Sequence, residues 1–417
     1  MVWCVGSWWC VRGGSPPPLE EFLINNHIKH TTNPHQSRIP IKTYTNQDRN
    51  LNERNKTPSM SGNYQTASPS GTGHLPSLLA RLLLQSHADQ QTGSASLCDP
   101  KVLHIGTSSE KSKLGAGDWA WGCGYRNLQM LFSTIIARQA YRQTLLSHPL
   151  LISCTTTPQT TGIPSITLWQ QIIEDAWKAG FDPDGAAHFD GRLLGKKQWI
   201  GTTEVYVALC RLGLRCQIVD FPGPSGPNGQ HTKLIQWVEN YFKSASTLTD
   251  NDQSSSAVEI TSRFPLYFQH DGHSRTIIGI ETDAKQQPQL LILDPAKKVA
   301  SPLKKISEQM SNTEDLEDSD EIEILDRPPS SSKTFIPNKS SSKTPLTMPT
   351  KRATKAKPTV LDLHAHPKLL GAHRLTLKEL SKKKQYQILY VIDCVPKLAQ
   401  DDVEQHKLHT IRSLRIV

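Results

Sequence analysis

At 417 residues with a net charge of +9, 36% hydrophobic side chains and a mean hydropathy of −0.46, the chain is too polar to be packed along its whole length. Its Lys and Arg residues are scattered and form no groove-reading motif, so specific nucleic-acid recognition is not expected, and no run is long enough to span a membrane. The eight cysteines, at 4, 10, 98, 123, 154, 210, 216 and 394, contain no C-x-x-C pair and no nearby histidine pair at finger spacing, so neither a structural zinc nor another cofactor is expected.

Residues 1–71 are rich in Asn, Thr, Ser, Pro and Gly without apolar periodicity and read as a disordered N-terminal region. The apolar run at residues 2–10 is short and lacks a basic lead-in, so no secretory signal is read there. A reducing compartment, cytoplasm or nucleus, with free thiols is expected. From 72, Leu75, Leu78, Leu79, Leu82 and Leu83 trace one helix face, with Pro76 near its start. The stretch 119-WAWGCGYRNLQMLF-132 follows, with Leu128, Leu131, Phe132, Ile135 and Ile136 again at helical spacing. Thr167 and Gln170 read as a capping box opening a helix to about Gly180. Another helix starts near Thr202, and 214–221 reads as a strand. A helix carrying Leu234, Trp237, Val238 and Tyr241 precedes three short strands at 264–270, 275–281 and 289–294. Residues 299–360 read as a largely disordered insertion, with an acidic run at 314–325 and a basic one at 349–358. A last strand, 386–393, lies in a final part of the domain, 361–417. Helices lead and strands follow, so the fold class expected is α+β, with one domain over 72–298 and 361–417.

Cys123 stands where a helix begins, between Gly122 and Gly124. Unpaired N–H groups at a helix start favour a thiolate, and the glycines leave room for close backbone approach. On this local pattern alone a reactive thiol and a packed one are equally good readings. Cys210 and Cys216 fall on an apolar helix face and in a strand, and read as core residues. A nucleophilic thiol needs a base, and the base an orienter. His273, in 271-DGHSR-275 just before a strand, and Asp294, ending the next strand, supply both in order. Asp271 is a rival orienter, since residues two apart on a strand share a face. Asp294 is preferred because a strand end holds it more rigidly. Gln269 offers an amide to a developing oxyanion.

These residues resemble a known family. The stretches 119-WAWGCGYRNLQML-131, 172-IIEDAWKAGFDPDGA-186, 199-WIGTTEVY-206, 217-QIVDF-221, 269-QHDGHSRTIIGIE-281 and 291-LILDPA-296 are similar to those of the zinc-finger-containing ubiquitin peptidases (the ZUFSP group), sisters of the Ufm-specific proteases. A weaker match runs through 374–392. The resemblance implies a papain-like cysteine peptidase fold. It implies Cys123 as nucleophile, His273 as general base, Asp294 as orienter and Gln269 as oxyanion donor. It also implies that Asp182, Trp199 and Glu204 hold an extended, arginine-bearing modifier tail ending in Gly-Gly. The Ufm proteases carry their histidine directly after the Asp-Pro; here Ala296 fills that place, which points to the ubiquitin-cleaving branch. No zinc finger and no separate ubiquitin-binding helix is recognisable, and the helix over 75–87 reads as packed on the peptidase core. The expectation is thus a monomeric deubiquitinase acting on ubiquitin or polyubiquitin. A protease for another modifier such as Ufm, or a catalytically weak ubiquitin-binding module, are the alternatives.

Overall fold

The computed structural model describes residues 71–108, 117–154, 162–243, 256–317, 367–393, 403–404, 407 and 411–417. The N-terminal segment 1–70, the basic run at 349–358 and most of the acidic run at 314–325 lie outside the described residues.

Two helices lead. α1 (Leu75–Ala88) buries Leu75, Leu78, Leu79, Leu82 and Leu83, the face expected from the sequence, with Pro76 in its first turn. The Cys123 motif opens α2 (Cys123–Ile136), in which every residue except Cys123 and Arg126 is buried. A helix buried all round lies inside a core rather than on its surface. Its polar residues are accordingly bonded: Gln129 donates to the Pro164 carbonyl at 2.8 Å, and Ser133 Oγ accepts from the Leu103 amide at 2.9 Å.

α3 (Gln139–Leu146) follows, then α4 (Ile166–Lys178), α5 (Pro183–His188), α6 (Thr202–Arg211) and α7 (Thr232–Lys243). α4 begins two residues before the expected capping box. Ser165 is its cap and accepts from the Leu168 amide at 3.2 Å, so Thr167 sits inside the first turn.

Among the described residues, nine strands form one sheet: β1 (Thr92–Leu97), β2 (Cys216–Phe221), β3 (Val258–Ile260), β4 (Leu266–His270), β5 (His273–Asp283), β6 (Pro288–Leu293), β7 (Arg374–Thr376), β8 (Tyr386–Val391) and β9 (Ser413–Arg415). The long strand β5 organises it. Its first half pairs with β4, its second half with β1, and β6 runs along its other edge, all antiparallel. β8 then joins β4 to β2. Only the β1–β3 and β2–β9 pairs are parallel. β7 and β8, from the far side of the long segment after 299, are therefore integral to the same sheet. The short, small-residue strand β1 carries no strong signal of its own; its pairing with β5 makes it a strand.

Residues 299–360 read as a largely disordered insertion; at its start the structure forms α8 (Ser301–Glu317), which the sequence reading did not single out. Leu303, Ile306, Ser307 and Met310 make a stripe at helical spacing. Leu303 and Ser307 are buried, and Ile306 and Met310 pack on the core. Ser307 Oγ donates to the Gly73 carbonyl at 2.8 Å, and His74 Nε2 bonds Ser311 Oγ at 3.2 Å, tying α8 to the start of α1. A polar composition concealed a narrow apolar face. No described helix is long and apolar enough to cross a membrane.

Candidate active site

Helix α2 packs across β4 and β5, bringing its first residue to the end of the β4–β5 hairpin. That hairpin turns on Asp271 and Gly272, with His270 and His273 paired across it. Gly272 has φ 85° and open space beside it, so the backbone conformation rather than crowding calls for glycine. His273 thus starts β5, Asp294 directly follows β6, and neighbouring strands bring the two together. His273 Nε2 and Asp294 Oδ1 are 3.0 Å apart.

The Cys123 thiol is within hydrogen-bonding reach of the His273 ring and of Ser274. With Nε2 on Asp294, Nδ1 is the ring nitrogen left for the thiol. Burial pushes the thiol up, but His273 and Ser274 more than offset it, and its pKa falls below the ordinary value. Burial pushes His273 down, and the Asp294 carboxylate and Cys123 together lift it to about 9. Burial also acts against the charged form of Asp294. Its bonds from His273 and the Ala296 amide, and the nearby Arg275, hold it well below the usual carboxylate range. The three shifts share one direction: thiolate, imidazolium and carboxylate.

Asp271 does not compete. Its carbonyl accepts from His270 Nδ1 at 2.8 Å and from Lys383 Nζ at 3.1 Å, and no bond joins its side chain to His273 among the described residues.

The loop before Cys123 is fastened from several sides. Asp118 Oδ1 accepts the Ser108 amide at 2.7 Å, and Oδ2 accepts Arg126 Nε at 2.7 Å. A Cβ on Gly122 would collide with the Asp118 carboxylate, and one on Gly124 would stand 2.5 Å from the Ile200 carbonyl. The flanking glycines are thus required by the protein's own close packing, a reason different from the substrate approach expected above. Asn127, buried one turn into α2, donates through Nδ2 to the Cys123 carbonyl at 2.8 Å and to Ser274 Oγ at 3.0 Å. Its Oδ1 accepts from Thr276 Oγ1 at 2.8 Å.

The Ile200–Gly201 backbone that touches Gly124 also lies against Gln269, which β4 carries to the site. A Cβ on Gly201 would lie 2.9 Å from Gln269 Nε2, and Gln269 Oε1 is buried without a partner. Trp199 donates from Nε1 to the Ala120 carbonyl at 2.8 Å, so its half-buried ring stands beside the loop that presents Cys123. Glu204 is turned inward. Its Oε2 accepts the Gly201 amide at 2.7 Å and its Oε1 accepts from Thr203 Oγ1 at 3.0 Å, so both oxygens are engaged in starting α6. Asp182, equally buried, precedes α5 in a left-handed conformation with φ 42°. The structure therefore brings Cys123, His273, Asp294, Gln269 and Trp199 to one corner, and sets Glu204 behind the loop rather than on an open surface.

Sequence reasoning did not single out Asn127, Ser274, Asp118 or Arg275. Two carried a signal: Asn127 is four residues after Cys123 on a helix, and Arg275 is two after His273 on a strand. Among the described residues, no group of three or more His, Cys, Asp or Glu is arranged to hold a metal, and Cys98, Cys123, Cys210 and Cys216 are free thiols.

The model of peptidase family C78 matches residues 92–325, more than half of the chain, and that span carries every one of these side chains. The chain belongs to peptidase family C78. Its α+β fold, with a cysteine at the start of a buried helix facing a histidine on the sheet, is that of papain-like cysteine peptidases. Human zinc finger-containing ubiquitin peptidase 1 is 47% identical over 179 residues, covering 43% of this chain and 28% of the human protein. The rat protein of that name is 38% identical over 197 residues, covering 47% and 31%. Fission-yeast ubiquitin carboxyl-terminal hydrolase mug105 is 32% identical over 180 residues, covering 43% and 61%. This C78 chain thus matches less than a third of the length of its mammalian relatives. A crystal structure of UfSP from C. elegans, at 18% identity and a TM-score of 0.33 over 54% of this chain and 32% of that one, is too distant to carry an argument.

Proposed function

We propose that this chain is a deubiquitinase that hydrolyses the peptide or isopeptide bond after the C-terminal Gly-Gly of ubiquitin. The observation that carries the reading is the Cys123 thiol facing a His273 ring that is itself held by Asp294 at 3.0 Å. The Cys123 thiolate attacks the terminal glycine carbonyl. The Gln269 amide and the N–H groups at the start of α2 hold the oxyanion. The His273 imidazolium gives its proton to the departing amine, leaving a thioester. His273 then takes a proton from water, whose oxygen attacks the thioester and returns the thiol. Asp294 keeps the ring in one plane and tautomer. Trp199 walls the groove that the tail enters. Glu204 serves that groove by fixing the Gly201 turn, and Asp182, just before α5, offers a carboxylate to the arginine-bearing tail.

Ubiquitin or polyubiquitin is favoured as substrate by the ubiquitin peptidases among the relatives and by Ala296. The resemblance leads to a histidine at that position in the Ufm branch. Here it contributes only its backbone amide, which donates to Asp294 Oδ1 at 3.0 Å. The peptidase unit is read as residues 72–317 together with 367–417, acting as a monomer in the cytoplasm or nucleus.

The test is a ubiquitin probe with a C-terminal electrophile, run beside an equivalent Ufm probe. A covalent adduct with the ubiquitin probe, lost in Cys123→Ala, is expected. An adduct with the Ufm probe alone would move the substrate to that modifier. Tight ubiquitin binding without adduct or turnover would reduce the chain to a binding module.

A further inference from the structure

Asp294 is held on both oxygens, and only one side of that grip belongs to the residues named so far. Oδ1 takes His273 and the Ala296 amide; Oδ2 accepts Arg275 Nε at 2.9 Å. Arg275 lies two residues after His273 on β5, so both side chains leave the same face of the strand. Its guanidinium continues past Asp294: Nη1 stands 3.0 Å from His270 Nε2, on the paired strand β4. His270 can accept there only as a neutral ring with its proton on Nδ1, and Nδ1 has its acceptor, the Asp271 carbonyl, at 2.8 Å. Burial first, then Arg275 and Lys383, hold His270 down at about 4, so it stays an acceptor at neutral pH.

We propose that Arg275 is a positioning residue of the site, a planar fork set between Asp294 and His270 that fixes the rotation of the Asp294 carboxylate and thereby the plane of the His273 ring. The proposal rests on the assignment of Cys123, His273 and Asp294 above. A lysine replaces the fork only in part, because one ammonium on a flexible stem keeps the charge but does not address two acceptors in a fixed plane.

The charged and titratable groups around this unit come from every neighbouring element. Cys123 faces it from α2, and His270 and Arg275 from the hairpin. His104 bonds the Asp294 carbonyl at 3.1 Å, His373 bonds the Ile292 carbonyl at 3.2 Å, and Lys383 reaches the Asp271 carbonyl. Burial keeps His104 and His373 neutral, so near neutral pH Arg275 and Lys383 are the fixed cations beside the pair.

Arg275→Met, Arg275→Lys and His270→Phe test the fork. The first readout is the pH dependence of Cys123 alkylation by iodoacetate, an anion drawn in by the imidazolium, which needs no modifier substrate. The second is kcat and KM on a fluorogenic ubiquitin C-terminal derivative, with a thermal melt as a check on folding. Loss of a charge-assisted bond is expected to lower kcat roughly tenfold in Arg275→Met with KM little changed. The alkaline limb of alkylation should move to lower pH, because a loosened carboxylate holds the imidazolium proton less well. Arg275→Lys should recover part of the loss, and His270→Phe should move the limb the same way by less. If Arg275→Met does not fold, the other two variants decide. An unmoved limb in the folded variants overturns the proposal. So does a loss of kcat that follows the loss of melting temperature, with lysine no better than methionine. A wild-type chain that ignores ubiquitin would remove the substrate reading and leave the alkylation limb to decide the role of Arg275.

Discussion

Cys98 and Cys123 sit at the ends of two elements, the first fully buried and the second partly so, and their chemistry diverges. Cys98 follows β1, is fully buried, and donates from Sγ to the Asp99 carbonyl at 3.4 Å. Burial pushes its thiol well up, the Asp99 carboxylate pushes further, and Arg138, 3.2 Å from Asp99, only partly offsets them. Cys123 suffers the same penalty of burial, yet its thiol moves down, because an imidazole that will carry charge faces it. Both corners have an arginine paired to an aspartate. In one the carboxylate lies next to the thiol and opposes the thiolate. In the other a histidine stands between, so the carboxylate stabilises the imidazolium and through it the thiolate. The order of groups, more than their identity, separates a packing cysteine from a reactive one.

The strongest way to break the contrast is to remove the intervening ring. His273→Ala should leave Cys123 buried with no partner cation, a second Cys98, and lower kcat/KM by about ten thousandfold or more. Measurable ubiquitin turnover in that variant would mean another residue is the base. Asp294→Ala should cost less, on the order of a hundredfold to a thousandfold in kcat, since an orienter is partly replaceable. Asp271→Ala should be near neutral, and an Asp271→Ala loss exceeding that of Asp294→Ala would reverse the assignment. Next comes the contrast itself. Brief iodoacetate treatment at pH 7 followed by peptide mapping should mark Cys123 over Cys98, Cys210 and Cys216 by roughly two orders of magnitude. Equal labelling of Cys98 would show that burial does not set its reactivity.

The pH dependence has a definite sign. His273 is raised from 6.5 to about 9, so its contribution to stability is complete below 6.5 and is lost as pH rises through about 9. Turnover should fall over the same interval as the imidazolium proton is lost. His270 and His373 run the other way, both lowered from 6.5 to about 4, so their contribution is present above 6.5 and is lost as pH falls toward 4. Melting temperature should therefore decline on the acid side between those values, while the alkaline limit of activity stays with His273. An alkaline limb near 6.5 would show that the Asp294 contact is not formed in solution.

Much of this corner could be read from the chain because it is built from periodic patterns. The helical stripe after Cys123 and the strand ends at His273 and Asp294 follow from local spacing, while the preference for Asp294 over Asp271 rests on the rigidity of a strand end. The α1 stripe likewise identifies a core helix. What escaped depends on pairing between distant segments. Spacing puts Arg275 on the face of His273, but its role is marked by its partners on β4 and after β6, as Asp118 is by the loop it crosses and β1 by the strand that accepts it. α8 escaped for a different reason: a stripe of three apolar residues is diluted within seventeen of polar composition. The inward turn of Glu204 could not be read either, because a glutamate three residues into a helix serves equally as a cap or as an exposed acid until the Gly201 amide is located.

The smallest effect expected separates support from chemistry within the reactive corner. Asn127 makes three buried hydrogen bonds, two across to β5 and one to the Cys123 carbonyl in its own helix. Asn127→Ala leaves Thr276 and Ser274 without that partner, at a cost of about 1–3 kcal/mol. In a chain of this size that is a fall of several degrees in melting temperature. The thiol stays at the start of α2 and the His273–Asp294 pair is untouched, so kcat should drop less than in Asp294→Ala and the alkaline limb should stay near 9. A variant that melts like the wild type but loses activity as Asp294→Ala does would place Asn127 in the chemistry. A variant whose limb moves would show that the carbonyl bond to Cys123, more than the facing imidazole, sets the two cysteines apart.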